Sequence, residues 1–328
     1  GRGPREWPPE NPPRGRKGDG MLRIHEIKRN IGEGPEVIPR RIIKQLNIRG
    51  LEIIDYQLVK ESVDARKKNG IKLVYSVDFV PSLPGRKAED AEAYLLAQCR
   101  SAKLEKSPDM SYHPAAPGQE EMKYRPVIAG FGPCGMFAGL ILSELGYKPV
   151  ILERGKPIEE RIRDVDRFWE EGILDEESNV QFGEGGAGLF SDGKLTTQIK
   201  DQRVRKVLEE FVEAGGSPEI LYKQKPHIGT DVLRKIVLNI RNKIIDNGGE
   251  ILFRSKLTGL IFQKDDGIRR LEGILVNGER KIDTENLILA VGHSARDTFR
   301  VINEAGVAMT RKPFSIGVRI EHPQVLIN

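Results

Sequence analysis

The sequence predicts an α/β protein, and three observations carry that prediction. Short apolar runs alternate with helix-length stretches between Pro126 and Glu153. A glycine-rich turn, Gly130 to Gly135, separates one such run from the helix-forming stretch behind it. Ahead of both, residues 22–98 hold strand-like and helix-like segments of their own, enough for a separate small α/β (α+β) domain over 21–100.

In chain order, residues 1–20 mix arginines with prolines and glycines and are expected to be a disordered basic leader. Leu22 to Lys28 alternates as a half-buried strand does, and Val37, Ile38, Ile42 and Leu46 recur at helical spacing. Ile53 to Val59 and Ile71 to Val80 read as strands, and the alanine-rich 88–100 as a helix. Prolines and charges over 101–124 have linker composition.

Pro126-Val-Ile-Ala then enters Gly130-Phe-Gly132-Pro133-Cys-Gly135, and the helix over 136–145 ends at Gly146, placed as a C-terminal cap. The three glycines have distinct roles. Gly130 serves the tight turn, Gly132 the backbone approach to a pyrophosphate, and Gly135 close helix–strand packing. The next strand, Pro149-Val-Ile-Leu, ends in Glu153, where a carboxylate accepts from a ribose diol. Strand, glycines, helix, strand and acid in register predict a Rossmann-like nucleotide-binding domain. Farther on, Asn179 to Leu195 carries Gly183, Gly185, Gly186 and Gly188, and with the flanking apolar residues and Ser191-Asp-Gly-Lys this density points to an ordered backbone in close contact with something planar or anionic. Residues 251–263 read as one strand, 270–282 as a hairpin around a type I′ Asn277-Gly278 turn, and Leu287 to Gly292 as a closing strand.

These features together resemble the glutathione-reductase-type FAD fold. The runs Glu153-Arg-Gly-Lys, Ser178 through Thr196, Pro226-His227-Ile-Gly-Thr-Asp231 and Gly317 to Pro323 further resemble an uncharacterised FAD-dependent dehydrogenase family, and Ser62 to Lys68 is similar to it as well. The resemblance implies FAD as cofactor, bound by a domain in two segments, 125–200 and 250–300. Between them it implies an inserted substrate or cap region over 201–249, and after them the start of a substrate domain over 301–328. It implies contacts from Arg154 beside the adenosine, Leu257 at the adenine edge, Ala290 and Gly292 at the diphosphate, and Gly185, Gly186, Ser191, Asp192, Gly193 and Lys194 along the isoalloxazine. Members of the fold carry a later Gly-Asp pair on a further strand and helix, so the chain is expected to be a C-terminally incomplete member.

The expected function is therefore FAD-dependent transfer of hydride or electrons to or from a small-molecule substrate, with NAD(P)H as a candidate external donor. Lys194 is the candidate for steadying the reduced flavin, and His227 for moving a substrate proton. His227 has a competing structural role, because Thr230 or Asp231 is placed to cap the helix that begins there. Cys99 and Cys134 have neither disulfide nor metal-ligand spacing, so no metal site is expected. The absence of a long apolar run predicts no membrane span and a cytoplasmic chain, or a plastid one in a eukaryote. A net charge of +5, with Arg40, Arg41, Lys44, Arg49, Lys60, Arg66, Lys67 and Lys68 in the first domain, leaves an RNA-directed flavoprotein as one alternative. A non-catalytic nucleotide-binding redox module is the other.

Overall fold

The structure is a computed structural model that describes residues 21–66, 70–99, 103–191, 193–195, 197, 199–318 and 320–327. The basic leader, Lys67, Lys68 and Asp192 lie outside the described residues. The chain forms two compact units: residues 1–118 with 187–246, and 119–186 with 247–328. The insertion expected over 201–249 therefore clusters as 187–246.

In the first unit, strand β1 (Leu22–Asn30), helix α1 (Val37–Leu46), β2 (Glu52–Asp64), β3 (Lys72–Ser82), α2 (Ala88–Gln98) and β4 (Leu104–Lys106) follow one another. The sheet is antiparallel in the order β2-β3-β1-β4, the split βαβ topology of ferredoxin-like domains. The alternation read from the sequence decides which face is buried. Leu22, Ile24, Tyr75, Val77 and Phe79 meet Ile38, Ile42 and Leu46 of α1 and Ala91 and Leu95 of α2 in one apolar core. Burying each such aliphatic side chain stabilises by roughly 1.5–3 kcal/mol.

Strand β4 falls inside the stretch expected to be linker. It contributes only Leu104 to the core's edge, and a three-residue strand is too short for an alternation to register. The same unit holds α5 (Arg203–Glu213) and α6 (Thr230–Asp246). Ile236, Ile240 and Ile244 give α6 its buried stripe, and Glu210, 2 % exposed, takes Lys243 at 2.8 Å. Helix α6 starts at Thr230 itself, with Leu233 N bonded to Gly229 O, so the cap position falls at Gly229 rather than Thr230 or Asp231.

The second unit begins with β5 (Val127–Ala129), α3 (Pro133–Glu144), β6 (Val150–Leu152) and α4 (Ile158–Glu171). After residue 246 come β7 (Glu250–Leu252), β8 (Leu257–Asp265), β9 (Ile268–Val276), β10 (Arg280–Asp283), β11 (Leu287–Leu289) and α7 (Arg296–Glu304). A four-stranded parallel sheet runs β11-β5-β6-β7, with every residue of β5 and β6 buried, as parallel strands require. A separate antiparallel sheet runs β10-β9-β8.

The single strand expected over 251–263 is thus two strands in two sheets. At the break, Arg254 takes a left-handed φ of 54°, its N–H donates to Gly155 O, and that of Ser255 donates to Glu153 O, each at 2.9 Å. The apolar run continues past this point, so periodicity carries no mark of it. The Asn277-Gly278 turn has both φ values positive and a 3.2 Å bond from Glu279 N to Val276 O, which is the I′ geometry expected. Among the described residues, no helix is long and apolar enough to cross a membrane.

Candidate functional site

The strand–glycine–helix corner follows from local chemistry. Gly130 adopts φ +105°, and a Cβ there would collide with the carbonyl of Ala290. At Gly135 a Cβ would collide with Gly130 O, so helix and strand approach as closely as they do only because both positions lack side chains. Gly132 is the N-cap of α3 and Pro133 its first residue, which leaves the helix start without a side-chain cap. Gly135, Met136, Gly139, Leu140 and Ser143 form the buried stripe of α3. At its far end Gly146 N bonds to Ser143 O and Tyr147 N to Leu142 O, a Schellman closure on Gly146 as expected.

Glu153, 4 % exposed at the tip of β6, ties this corner together. Its Oε2 accepts from Phe131 N at 2.8 Å, while Oε1 accepts from Gly155 N and Gly183 N, each at 2.9 Å. The carboxylate expected to meet a ribose therefore also fixes three backbone segments. Oε1 has two donors, whereas Oε2 has one and keeps a lone pair for a hydroxyl.

The glycine doublet lies against the same corner. Gly185 N donates to Phe131 O at 2.9 Å, and a Cβ on Gly186 would stand 3.1 Å from the Gly132 Cα and 3.0 Å from the Pro133 ring. Positive φ values of 81° and 66° and this loop-on-loop contact account for the doublet without any ring beside it.

Arg161, which carried no functional expectation, organises the doublet. It is fully buried on α4, and its guanidinium donates to five carbonyls: Asn179 and Val180 at 2.9 and 3.0 Å, and Gly183, Glu184 and Gly186 at 3.3, 2.5 and 3.0 Å. Burial pulls this guanidinium down to about 10, and the Glu153 and Glu184 charges work against that fall. Glu184 Oε2 accepts from Ile158 N at 2.8 Å, holding the start of α4 against the loop. The signal for Arg161 was in the sequence: it stands three residues after Ile158 and four before Val165, inside the apolar stripe of an otherwise charged helix.

Arg154 leaves the corner toward a cleft of about 560 Å³ bordered by Gly155, Lys156, Glu177, Lys256 and Thr258. Its guanidinium grips Asp297 through two 2.9 Å bonds, meets Glu177 at 2.6 Å and stacks 4.1 Å from the Phe182 ring centroid. The Arg154 hydrogen bonds hold Asp297 down to about 2. Burial pushes Glu177 up, but hydrogen bonds from Arg154 and Lys256 outweigh it and leave the group below the usual carboxylate range. Leu257, expected at an adenine edge, is buried between the cleft residues Lys256 and Thr258 and pairs with Val276.

Of the expected site residues, the second unit brings together Gly130, Gly132, Pro133, Gly135, Glu153, Gly185, Gly186 and Ala290. Gly292 follows with φ +74° and open space where a side chain would go. Ser191, Gly193, Lys194 and His227 belong to the first unit. There Lys194 and His227 form an antiparallel bridge, bracketed by Ile228 N to Gly193 O at 2.9 Å and Leu195 N to Pro226 O at 3.0 Å. That is the narrow, non-hydrogen-bonded pairing, which sets both exposed side chains on one face. Gly193 is required in this bridge, because a Cβ at its φ of +67° would collide with Ile228 O. Ser191 Oγ donates to Gly188 O at 2.9 Å and closes its own turn.

Residues 21–80 match the model of a domain of unknown function, DUF8436. An uncharacterized protein of Clostridium beijerinckii is 45% identical over 307 residues, covering 94% of this chain. The chain spans 55% of that relative's length. Among solved structures, THI4 of Thermovibrio ammonificans is similar over 56% of this chain and 64% of its own, at 18% identity and a TM-score of 0.38. The OTEMO complex with FAD and NADP is similar over 53% of this chain and 26% of its own, at 13% identity and 0.31. Glycine oxidase of Bacillus cereus is similar over 56% and 58%, at 12% and 0.29. Overlap of that size leaves the chemistry to this chain's own residues.

Proposed function

We propose that this chain is the nucleotide-binding portion of an FAD-dependent oxidoreductase that passes a hydride or electrons between a small-molecule substrate and the flavin. The observation that carries the reading is the corner in which Gly130, Gly135 and Ala290 pack without room for a Cβ beneath an uncapped helix start, with the Glu153 carboxylate at the neighbouring strand tip. Such a corner suits a dinucleotide's diphosphate, which takes the free N–H groups and the positive end of the helix. Glu153 Oε2 would receive one ribose hydroxyl. Arg154, Lys256 and Thr258 would border the adenosine in the cleft.

Bound flavin supplies the two-electron chemistry, and the chain's residues bind and orient it. Arg161 and Glu153 keep the Gly183–Gly186 backbone in one conformation against the diphosphate loop. Lys194 and His227, cross-strand neighbours on one face, are proposed as the pair acting at the redox end, Lys194 by its charge and His227 by holding a substrate proton. The substrate class is a small molecule, with NADH or NADPH as candidate donor.

The test is the visible spectrum of the purified chain before and after incubation with FAD and gel filtration. Retained flavin that bleaches anaerobically with a reduced nicotinamide supports the reading. A colourless protein that retains no added FAD overturns it. Lys194→Met is expected to lower the reduction potential of retained flavin, and an unchanged potential removes Lys194 from the redox end.

A further inference from the structure

The first unit carries a second cleft that the flavin reading does not use. Strand β1 is bulged between Ile24 and Ile27, with Glu26 at φ 62°, and β4 pairs only with Leu22–Ile24. Beyond the bulge, the outer edge of β1 lacks a strand partner among the described residues. Side chains of α1 cover it instead: Arg41 donates to Lys28 O, and Gln45 to His25 O at 3.3 Å. The result is a slot of about 740 Å³, within the usual size range of small-ligand sites.

Five of the eight described side chains lining it are cationic, Lys28, Arg41, Lys44, Lys72 and Lys103, and they come from β1, α1, β3 and the turn before β4. One is acidic, Glu26, and it is paired with Lys103. Arg41 is held in place by both oxygens of Glu33, at 2.8 and 2.7 Å, and Glu33 is fixed in turn by Asn30 N at 2.8 Å. Lys28 lies 3.7 Å from Asp64. Lys44 and Lys72 form no ion pair among the described residues, so two uncompensated positive charges face one aqueous slot beside a pre-oriented guanidinium. Crowding like charges costs folding energy and is relieved when an anion enters.

We infer that this slot binds a short chain of phosphates, as in a di- or triphosphate-bearing metabolite. Ammonium groups arranged around a concave space match several phosphate oxygens at once, and Arg41, whose fork is held by Glu33 and Lys28 O, adds its remaining N–H groups beside them. Asn30 and Gln45 also line the rim, their amides donating to Glu33 Oε1 at 3.1 Å and His25 O at 3.3 Å. Among the described residues the lining holds no aromatic residue for base stacking, so phosphate rather than a single-stranded nucleic acid is the matching chemistry. Of the cations that suggested RNA in the sequence, Arg41 and Lys44 line the slot among the described residues, while Arg66 is engaged by Asp64 at 2.7 Å.

The experiment titrates the full chain, incubated with FAD and gel-filtered so that the dinucleotide corner is filled without free FAD, with pyrophosphate, tripolyphosphate and ATP by calorimetry. Saturable binding of tripolyphosphate and ATP at similar affinity is expected, because the shared phosphates carry recognition. Lys44→Gln/Lys72→Gln should weaken it roughly 150-fold or more, the cost of two charged hydrogen bonds, with thermal stability not reduced and FAD retention unchanged. Lys60→Gln, on β2 and outside the slot, should leave it intact. Three results would each overturn the inference: no saturable tripolyphosphate binding at low salt, binding indifferent to the double substitution, or an RNA oligomer that binds this face more tightly than tripolyphosphate at equal phosphate concentration. Because FAD retention is read separately, failure here is distinct from failure of the flavin reading.

Discussion

Burying an arginine is an expensive choice, and Arg161 shows what the expense secures. Its guanidinium fork meets five carbonyls of the 179–186 segment, those of Gly183, Glu184 and Gly186 at buried positions, and Gly183 O also accepts from Gly186 N. Arg161→Met keeps much of the apolar volume but removes these donors from buried carbonyls and leaves Glu153 and Glu184 without the nearby charge, so a stability loss of about 3 kcal/mol or more is expected by denaturant titration. Arg161→Lys should recover only a fraction of that, because an ammonium cannot reach carbonyls spread across a planar fork. A Met variant within about 1 kcal/mol of the parent would mean that the loop stands without it. Glu153 shows how far sequence spacing reaches. Its position predicted a ribose acceptor, but the three N–H groups it already holds come from Phe131, Gly155 and Gly183, and no spacing rule reports the last of these. A carboxylate can be read from a motif; the donors that fold around it are a property of loop packing.

At the scale of elements, legibility followed length and local chemistry. The β5–α3–β6 unit was readable because its glycines, its proline at the first helical position and its closing glycine each act on neighbours in sequence. Strand β4 and the break at Phe253–Lys256 were not, since both are fixed by partners far away: β1 for the one, Gly155 and Glu153 for the other. The glycine unit gives a sharp prediction. Gly135→Val must push α3 away from Gly130 O, so FAD retention should be lost and the melting temperature should fall. Gly146→Ala, where a Cβ meets nothing but φ is +84°, should cost only about 1 kcal/mol and leave retention intact. Equal effects would uncouple the corner from the flavin.

The start of α7 gives a pH prediction with a definite sign. Arg154 holds Asp297 at about 2 against an ordinary 3.8, so the carboxylate adds stability that is complete above about 4 and is lost as pH falls through about 2. Glu177, also below its usual range, acts in the same direction. The melting temperature should therefore drop across that window, modestly because Asp297 is partly exposed, and Asp297→Asn should flatten the drop. A variant with the parent's full acid slope would show that the pair does not stabilise the fold.

For the whole molecule, the two units make two separable binding claims, and hydrogen exchange can read both on the intact chain. A ligand that binds only the folded state raises protection where it binds, by about 2.7 kcal/mol at a hundredfold excess over its dissociation constant. FAD should therefore slow exchange across residues 127–136, 153–155 and 183–186, whose amides converge on one corner through Glu153 and Phe131. Tripolyphosphate should instead protect residues 25–30 and 41–46, the bulged edge of β1 and the α1 face that covers it. If Lys194 and His227 serve the redox end, their bridge amides, Leu195 and Ile228, should slow with FAD and not with tripolyphosphate. Uniform slowing of every amide by FAD would point to global stabilisation alone. Protection confined to 127–136 and 153–155, with the bridge untouched, would keep the dinucleotide corner and move the redox chemistry onto other residues.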